Sequence, residues 1–86
     1  MDYRYYLGMD AHCKNCFIIV MDRRGKVKMR VKLQTTERAL ISFIRSIAGK
    51  KALTFEESTI SQWLYVLLKD EVDHLIVCDP AANVKG

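Results

Sequence analysis

No apolar run in this chain approaches the roughly 20 residues a membrane helix needs, although half of its 86 residues are hydrophobic. Met1-Asp2-Tyr3-Arg4 lacks the basic-then-apolar layout of an export signal, so the expected setting is the cytoplasm, away from membranes. Cysteine is scarce and odd in number, with Cys13, Cys16 and Cys78 only, which argues against a disulfide framework. The His12-Cys13-x-x-Cys16 spacing invites a zinc reading. A structural zinc site takes four ligands, usually from two knuckles, and the chain has no second knuckle. There are no internal repeats and no low-complexity tract. No glycine-rich phosphate loop follows the first acidic strand end, which weakens a nucleotide-binding reading of the actin and sugar-kinase type.

What the chain does have is the size and composition of one small globular domain, with 28% charged residues and a formal net charge of +4. The cations are unevenly placed: six of the fourteen fall between positions 23 and 32, as Arg23, Arg24, Lys26, Lys28, Arg30 and Lys32. From 26 to 33 the pattern alternates strictly. Val27, Met29, Val31 and Leu33 are expected on one face, and Lys26, Lys28, Arg30 and Lys32 on the other, as in a half-exposed antiparallel strand. Four cations on one side of an extended segment suit a polyanion such as DNA or RNA. The same exposed lysines also suit an edge strand guarded against sheet-to-sheet pairing.

Hydrophobic periodicity places the remaining elements. Residues 3–9 read as a first strand with Tyr5, Leu7 and Met9 on one face. Residues 16–21 read as a second strand, apolar on both faces and therefore central. Asp22-Arg23-Arg24-Gly25 is a turn. Thr35 or Thr36 is expected to cap a helix whose stripe is Leu40, Phe43, Ile44, Ile47 and Ala48, with Gly49 ending it. Residues 52–56 form a fourth strand. Thr59 and Gln62 fit a capping box, with Ser58 as a competing cap, for a helix burying Ile60, Trp63, Leu64, Leu67 and Leu68. Residues 74–78 form a fifth strand, broken by Asp79-Pro80. The succession β-β-β-α-β-α-β, with right-handed crossovers, gives an α/β mixed sheet spanning residues 1–80. Residues 81–86 are expected to be a linker or a cut tail.

Two carboxylates stand at strand ends: Asp10 after Tyr6-Leu7-Gly8-Met9, and Glu56 after Leu53-Thr54-Phe55. Acids at such positions are either solvated at a loop or, on neighbouring strands, share a proton or a divalent cation. Magnesium or manganese held by carboxylates is the arrangement of two-metal phosphoryl-transfer sites.

The element order resembles the front half of the ribonuclease-H-like (RuvC-like) fold of integrases, transposases and Holliday-junction resolvases. Tyr6-Leu7-Gly8-Met9-Asp10-Ala11-His12 resembles the hydrophobic-Gly-Ile-Asp-Val-Ser motif of DEDD-type insertion-sequence transposases, the group that includes pilin-gene invertases. Leu53-Thr54-Phe55-Glu56-Glu57-Ser58 resembles their Met/Leu-Glu-Ala-Thr motif. The segments Trp63 to Leu68, Leu75 to Pro80, and Asn83-Val84-Lys85 are similar to the helix, strand, Asn-Pro turn and lysine that follow. The resemblance covers nearly the whole chain. It implies that the first and fourth strands are neighbours, and that Asp10 and Glu56 are the first two acids of a four-carboxylate Mg²⁺ (or Mn²⁺) site. It also implies a homo-oligomer acting on insertion-sequence DNA, guided in some members by a structured RNA. The family's other two acids lie beyond the region matching Lys85, and its catalytic serine lies in a further domain. This stretch, ending before the final acidic helix, is therefore expected to be inactive alone. Asp79 stands where the family usually has asparagine, and either caps the turn or serves as a spare ligand. Glu57 should point to the opposite face from Glu56, and His12-Cys13 carries no inherited role. The alternative function is a non-catalytic nucleic-acid-binding or assembly module built on the basic strand at 26–32.

Overall fold

The computed structural model describes residues 3–79; the tail expected at 81–86 and the Asn83-Val84-Lys85 match lie outside them. Five strands and two helices follow one another as β1 (Tyr5–Ala11), β2 (Asn15–Asp22), β3 (Val27–Gln34), α1 (Glu37–Ser46), β4 (Lys51–Glu56), α2 (Ser61–Leu68) and β5 (His74–Cys78). They form one mixed sheet in the order β3-β2-β1-β4-β5. The β1–β2 and β2–β3 pairs are antiparallel, and the β1–β4 and β4–β5 pairs are parallel. The middle strand is therefore β1, and β2 is interior as expected, paired with β1 on one side and β3 on the other.

Both crossovers, β3-α1-β4 and β4-α2-β5, step in the same direction across this sheet. Crossovers of one hand taken in one direction put their helices on one face. The core accordingly forms a single cluster between that face and the helices: Leu7, Met9, Ile18, Val20, Leu53 and Phe55 from the strands meet Leu40, Ile44, Leu64 and Leu68. Among the described residues no helix covers the opposite face, which carries Phe17 and Ile19 at 45% and 39% exposure.

Local chemistry sets the element ends. The Asp22 carboxylate accepts the amides of Arg24 and Lys26 at 2.9 and 3.0 Å, and Gly25 turns the chain at φ +84°. Those amides, that of Lys26 foremost, hold the Asp22 pKa below its ordinary value. Thr36 caps α1, its hydroxyl accepting the Ala39 amide at 3.2 Å, with Glu37 in the first turn. The helix ends at Ser46, three residues before Gly49, so Ala48 leaves the stripe and is exposed. Gly49 instead takes the left-handed turn after it, at φ +95°. Lys51 reaches back to donate to the Ile47 carbonyl at 2.8 Å, where a cation suits the negative helix end.

Three expectations are corrected by packing. The capping box at Thr59 and Gln62 does not form: Ile60 occupies the cap position of α2 without a side-chain hydrogen bond. Trp63 is 42% exposed rather than core. At 3.6 residues per turn it is rotated about 100° from its neighbour Leu64, and the buried face is centred on Ser61, Leu64 and Leu68. In β3 the register slips between Val20 and Met21, so that Val20 pairs with Met29 while Met21 pairs with Val27. A bulge of this kind interrupts alternation, and Val27 turns to the uncovered face while Met29, Val31 and Leu33 stay on the helix side.

Candidate functional site

The parallel β1–β4 pair matches Met9 with Phe55, and both are buried against the helices. Side chains alternate along a strand, so the next residues, Asp10 and Glu56, both turn to the uncovered face at the same end of the sheet. Each is exposed. Together they line a shallow cavity of about 540 Å³ over that face, whose floor includes Gly8, Phe17, Ile19 and Thr54. They also share a second hollow at the strand ends with His12, Glu57 and Ser58.

Glu57 is thus on the same rim as Glu56, against the alternation expected from the sequence. The strand ends at Glu56, so β-strand alternation no longer dictates the direction of Glu57, although its amide still donates to the Cys78 carbonyl at 2.8 Å. His12, set aside in the sequence as a zinc ligand, stands at this rim. Its Nε2 lies 3.2 Å from Asp10 Oδ1, and its ring meets Phe17 edge-on with centroids 6.2 Å apart. Its two-residue spacing from Asp10, just past the end of β1, was the available signal.

The antiparallel registers extend this site across the sheet. Asp10 pairs with Phe17, and Phe17 pairs with Lys32; directly opposed residues share a face. Glu56, Asp10, Phe17 and Lys32 therefore form one row across β4, β1, β2 and β3. The next row holds Thr54, Gly8, Ile19 and Arg30. The Lys32 ammonium sits 5.9 Å from the Phe17 ring centroid.

The four cations expected on one strand face divide. Arg30 and Lys32 stand on the uncovered face. Lys28, at the bulge, lines a hollow on the helix side with Arg4, Val20 and Ile47. Lys26 belongs to the hairpin turn, its carbonyl accepting the Asp22 amide at 2.9 Å.

The cysteines serve separate environments, Cys13 exposed and Cys16 buried. Thr35 donates its hydroxyl to the His12 carbonyl at 2.6 Å. Its oxygen is therefore left to accept from the Cys16 thiol, 3.2 Å away, and this chain of bonds fastens the β1–β2 hairpin that carries His12 to the start of α1.

Among the described residues no group of three or more His, Cys, Asp or Glu side chains is gathered as a metal cage. The pair Asp10 and Glu56 offers hard oxygen donors, which fits a cation that keeps several waters and takes its remaining ligands from phosphate. Comparison with protein-family models and with curated proteins returned no match.

Proposed function

We propose that this domain is a ribonuclease-H-like module of a DEDD-type insertion-sequence transposase, acting on DNA through a divalent cation held by Asp10 and Glu56. The observation that carries the reading is the Met9–Phe55 register, which brings two acids from sequence-distant strands to one rim beside a cation-bearing face. A magnesium or manganese ion bound there would neutralise charge on a phosphate oxygen and activate the attacking oxygen. Asp10 and Glu56 would hold the ion, and His12, 3.2 Å from the Asp10 carboxylate, steadies that carboxylate. Arg30 and Lys32 neutralise neighbouring phosphates. A structured RNA as guide and a homo-oligomeric assembly belong to the same proposal.

The test is Mn²⁺ binding to the purified chain, followed by electron paramagnetic resonance. Asp10→Asn and Glu56→Gln are each expected to lower the bound fraction, and the double variant to abolish it. Equal binding by wild type and double variant would remove the shared-ion reading. The second reading, a non-catalytic nucleic-acid-binding module, is favoured by the exposed cations Arg30 and Lys32 on the uncovered face. It predicts DNA or RNA binding that is indifferent to the cation.

A further inference from the structure

The row Glu56–Asp10–Phe17–Lys32 contains more than the metal reading uses. Between the two carboxylates and the cation stands an aromatic ring on a sheet face that no helix covers among the described residues, with nearly half of Phe17 open to solvent. Neighbouring strands lie about 4.8 Å apart, so Lys32 on β3 is roughly 10 Å from Asp10 on β1 and roughly 14 Å from Glu56 on β4, with the ring between them. Around it the floor is apolar, with Ile19 and Val27 also exposed. Water is a poor occupant of such a surface.

We infer that this face binds an unpaired stretch of nucleic acid, with one base stacked on Phe17 and the flanking phosphates held by Lys32 and Arg30 on one side and by the Asp10–Glu56 cation on the other. The inference rests on the proposed function and narrows its substrate to a single-stranded or splayed segment. Charge complementarity selects the occupant. A purely apolar partner would leave Lys32 and Arg30 unused, whereas a nucleotide offers both a π-face for the ring and an anion for the cations. A paired base in a duplex is stacked on its neighbours and unavailable to an outside ring, so an aromatic platform on an open sheet selects unpaired bases. The carboxylates repel phosphate from their end of the row, which makes tight binding depend on the divalent cation.

The test compares a labelled short oligothymidylate with a blunt duplex of equal length, by fluorescence anisotropy on the full chain in Mn²⁺. Wild type is expected to prefer the single strand. Phe17→Ala and Phe17→Leu should each weaken that binding about five- to a hundredfold, the range for loss of one stacking platform. Phe17→Tyr should retain it, and duplex binding should be unmoved in all three. Phe17 is a surface residue, and circular dichroism of each variant checks the fold. A direct signature comes from Phe17→Trp in a Trp63→Phe background, whose fluorescence should be quenched by oligothymidylate.

Equal binding of both probes with no effect of Phe17→Leu overturns the stacking inference and leaves the proposed function standing. Absence of binding to either probe, with or without Mn²⁺, overturns both. A dimer that Phe17→Ala dissociates without changing oligonucleotide affinity assigns the face to a second copy of the chain, and overturns the inference as well.

Discussion

Arg45 on α1 grips Glu71 in the turn after α2 with two parallel bonds, Nε to Oε1 at 2.8 Å and Nη2 to Oε2 at 3.0 Å. The pair ties the two helix ends together in the two-pronged geometry that gives carboxylate recognition its direction.

The guanidinium bond holds the Glu71 pKa below its ordinary value of 4.5, with the Arg45 and Lys51 charges acting in the same direction. A carboxyl group depressed by folding stabilises the fold above its unfolded pKa, and that contribution is lost as pH falls through the folded value. Wild type should therefore be more stable than Glu71→Gln at pH 7. The gap should close as the medium is acidified below 4.5. Thermal denaturation of both proteins across pH 3 to 7 measures it, and a gap independent of pH would mean that the pair contributes nothing through charge.

Leu64 and Trp63 are neighbours in sequence with opposite surroundings, the first fully buried and the second 42% exposed. Leu64→Ala is expected to cost about 2–5 kcal/mol through lost burial and a cavity. Trp63→Ala should cost far less, about 1 kcal/mol or under, as a surface change. Urea unfolding of the two variants decides between this phasing of α2 and one that buries the indole.

Thr35 anchors the hairpin that carries His12. Replacing it with valine keeps the shape but removes both the bond to the His12 carbonyl and the acceptor for the Cys16 thiol. The expected loss is about 0.5–1.5 kcal/mol, the net worth of an ordinary hydrogen bond, since the exposed His12 carbonyl turns to water. Amide hydrogen exchange should rise first around residues 12–16. Uniform change across the sheet instead would show that the bonds act globally rather than on the hairpin.

These relationships show where sequence reading reaches and where it stops. Alternation in 26–33 and the stripe Leu40, Ile44 and Ile47 announce a strand and a helix because burial on one side selects them directly. The bulge beside Met21 was not legible. It follows the turn in which one Asp22 carboxylate captures two amides, and local residue types do not reveal that register slip. Trp63 was misplaced because a helix of eight residues has too few turns for its apolar face to be phased from pattern alone. Asp10 and Glu56 were legible as strand-end acids. Their shared rim depends on a pairing between strands about forty residues apart in sequence, which the residues themselves do not encode locally. His12 reads from the sequence only as a failed zinc ligand, because its place in the site comes from its contacts with Asp10 and Phe17.

The division of the basic segment gives the last prediction. Arg30 and Lys32 flank Ile19 and Phe17 on the uncovered face, while Lys28 lines the hollow beside α1. If nucleic acid lies across the uncovered face, only the first two neutralise phosphates. Each phosphate contact removed should lower the steepness of log affinity against log salt by about 0.7–0.9. The double variant Arg30→Gln/Lys32→Gln is therefore expected to flatten the dependence by about 1.4–1.8, and Lys28→Gln to leave it unchanged. Salt titrations with labelled single-stranded DNA and RNA supply the measurement. A slope reduced equally by Lys28→Gln would mean that the polyanion wraps the β3 edge instead of crossing the sheet, and an unchanged slope in the double variant would reduce these cations to guards of a sheet edge.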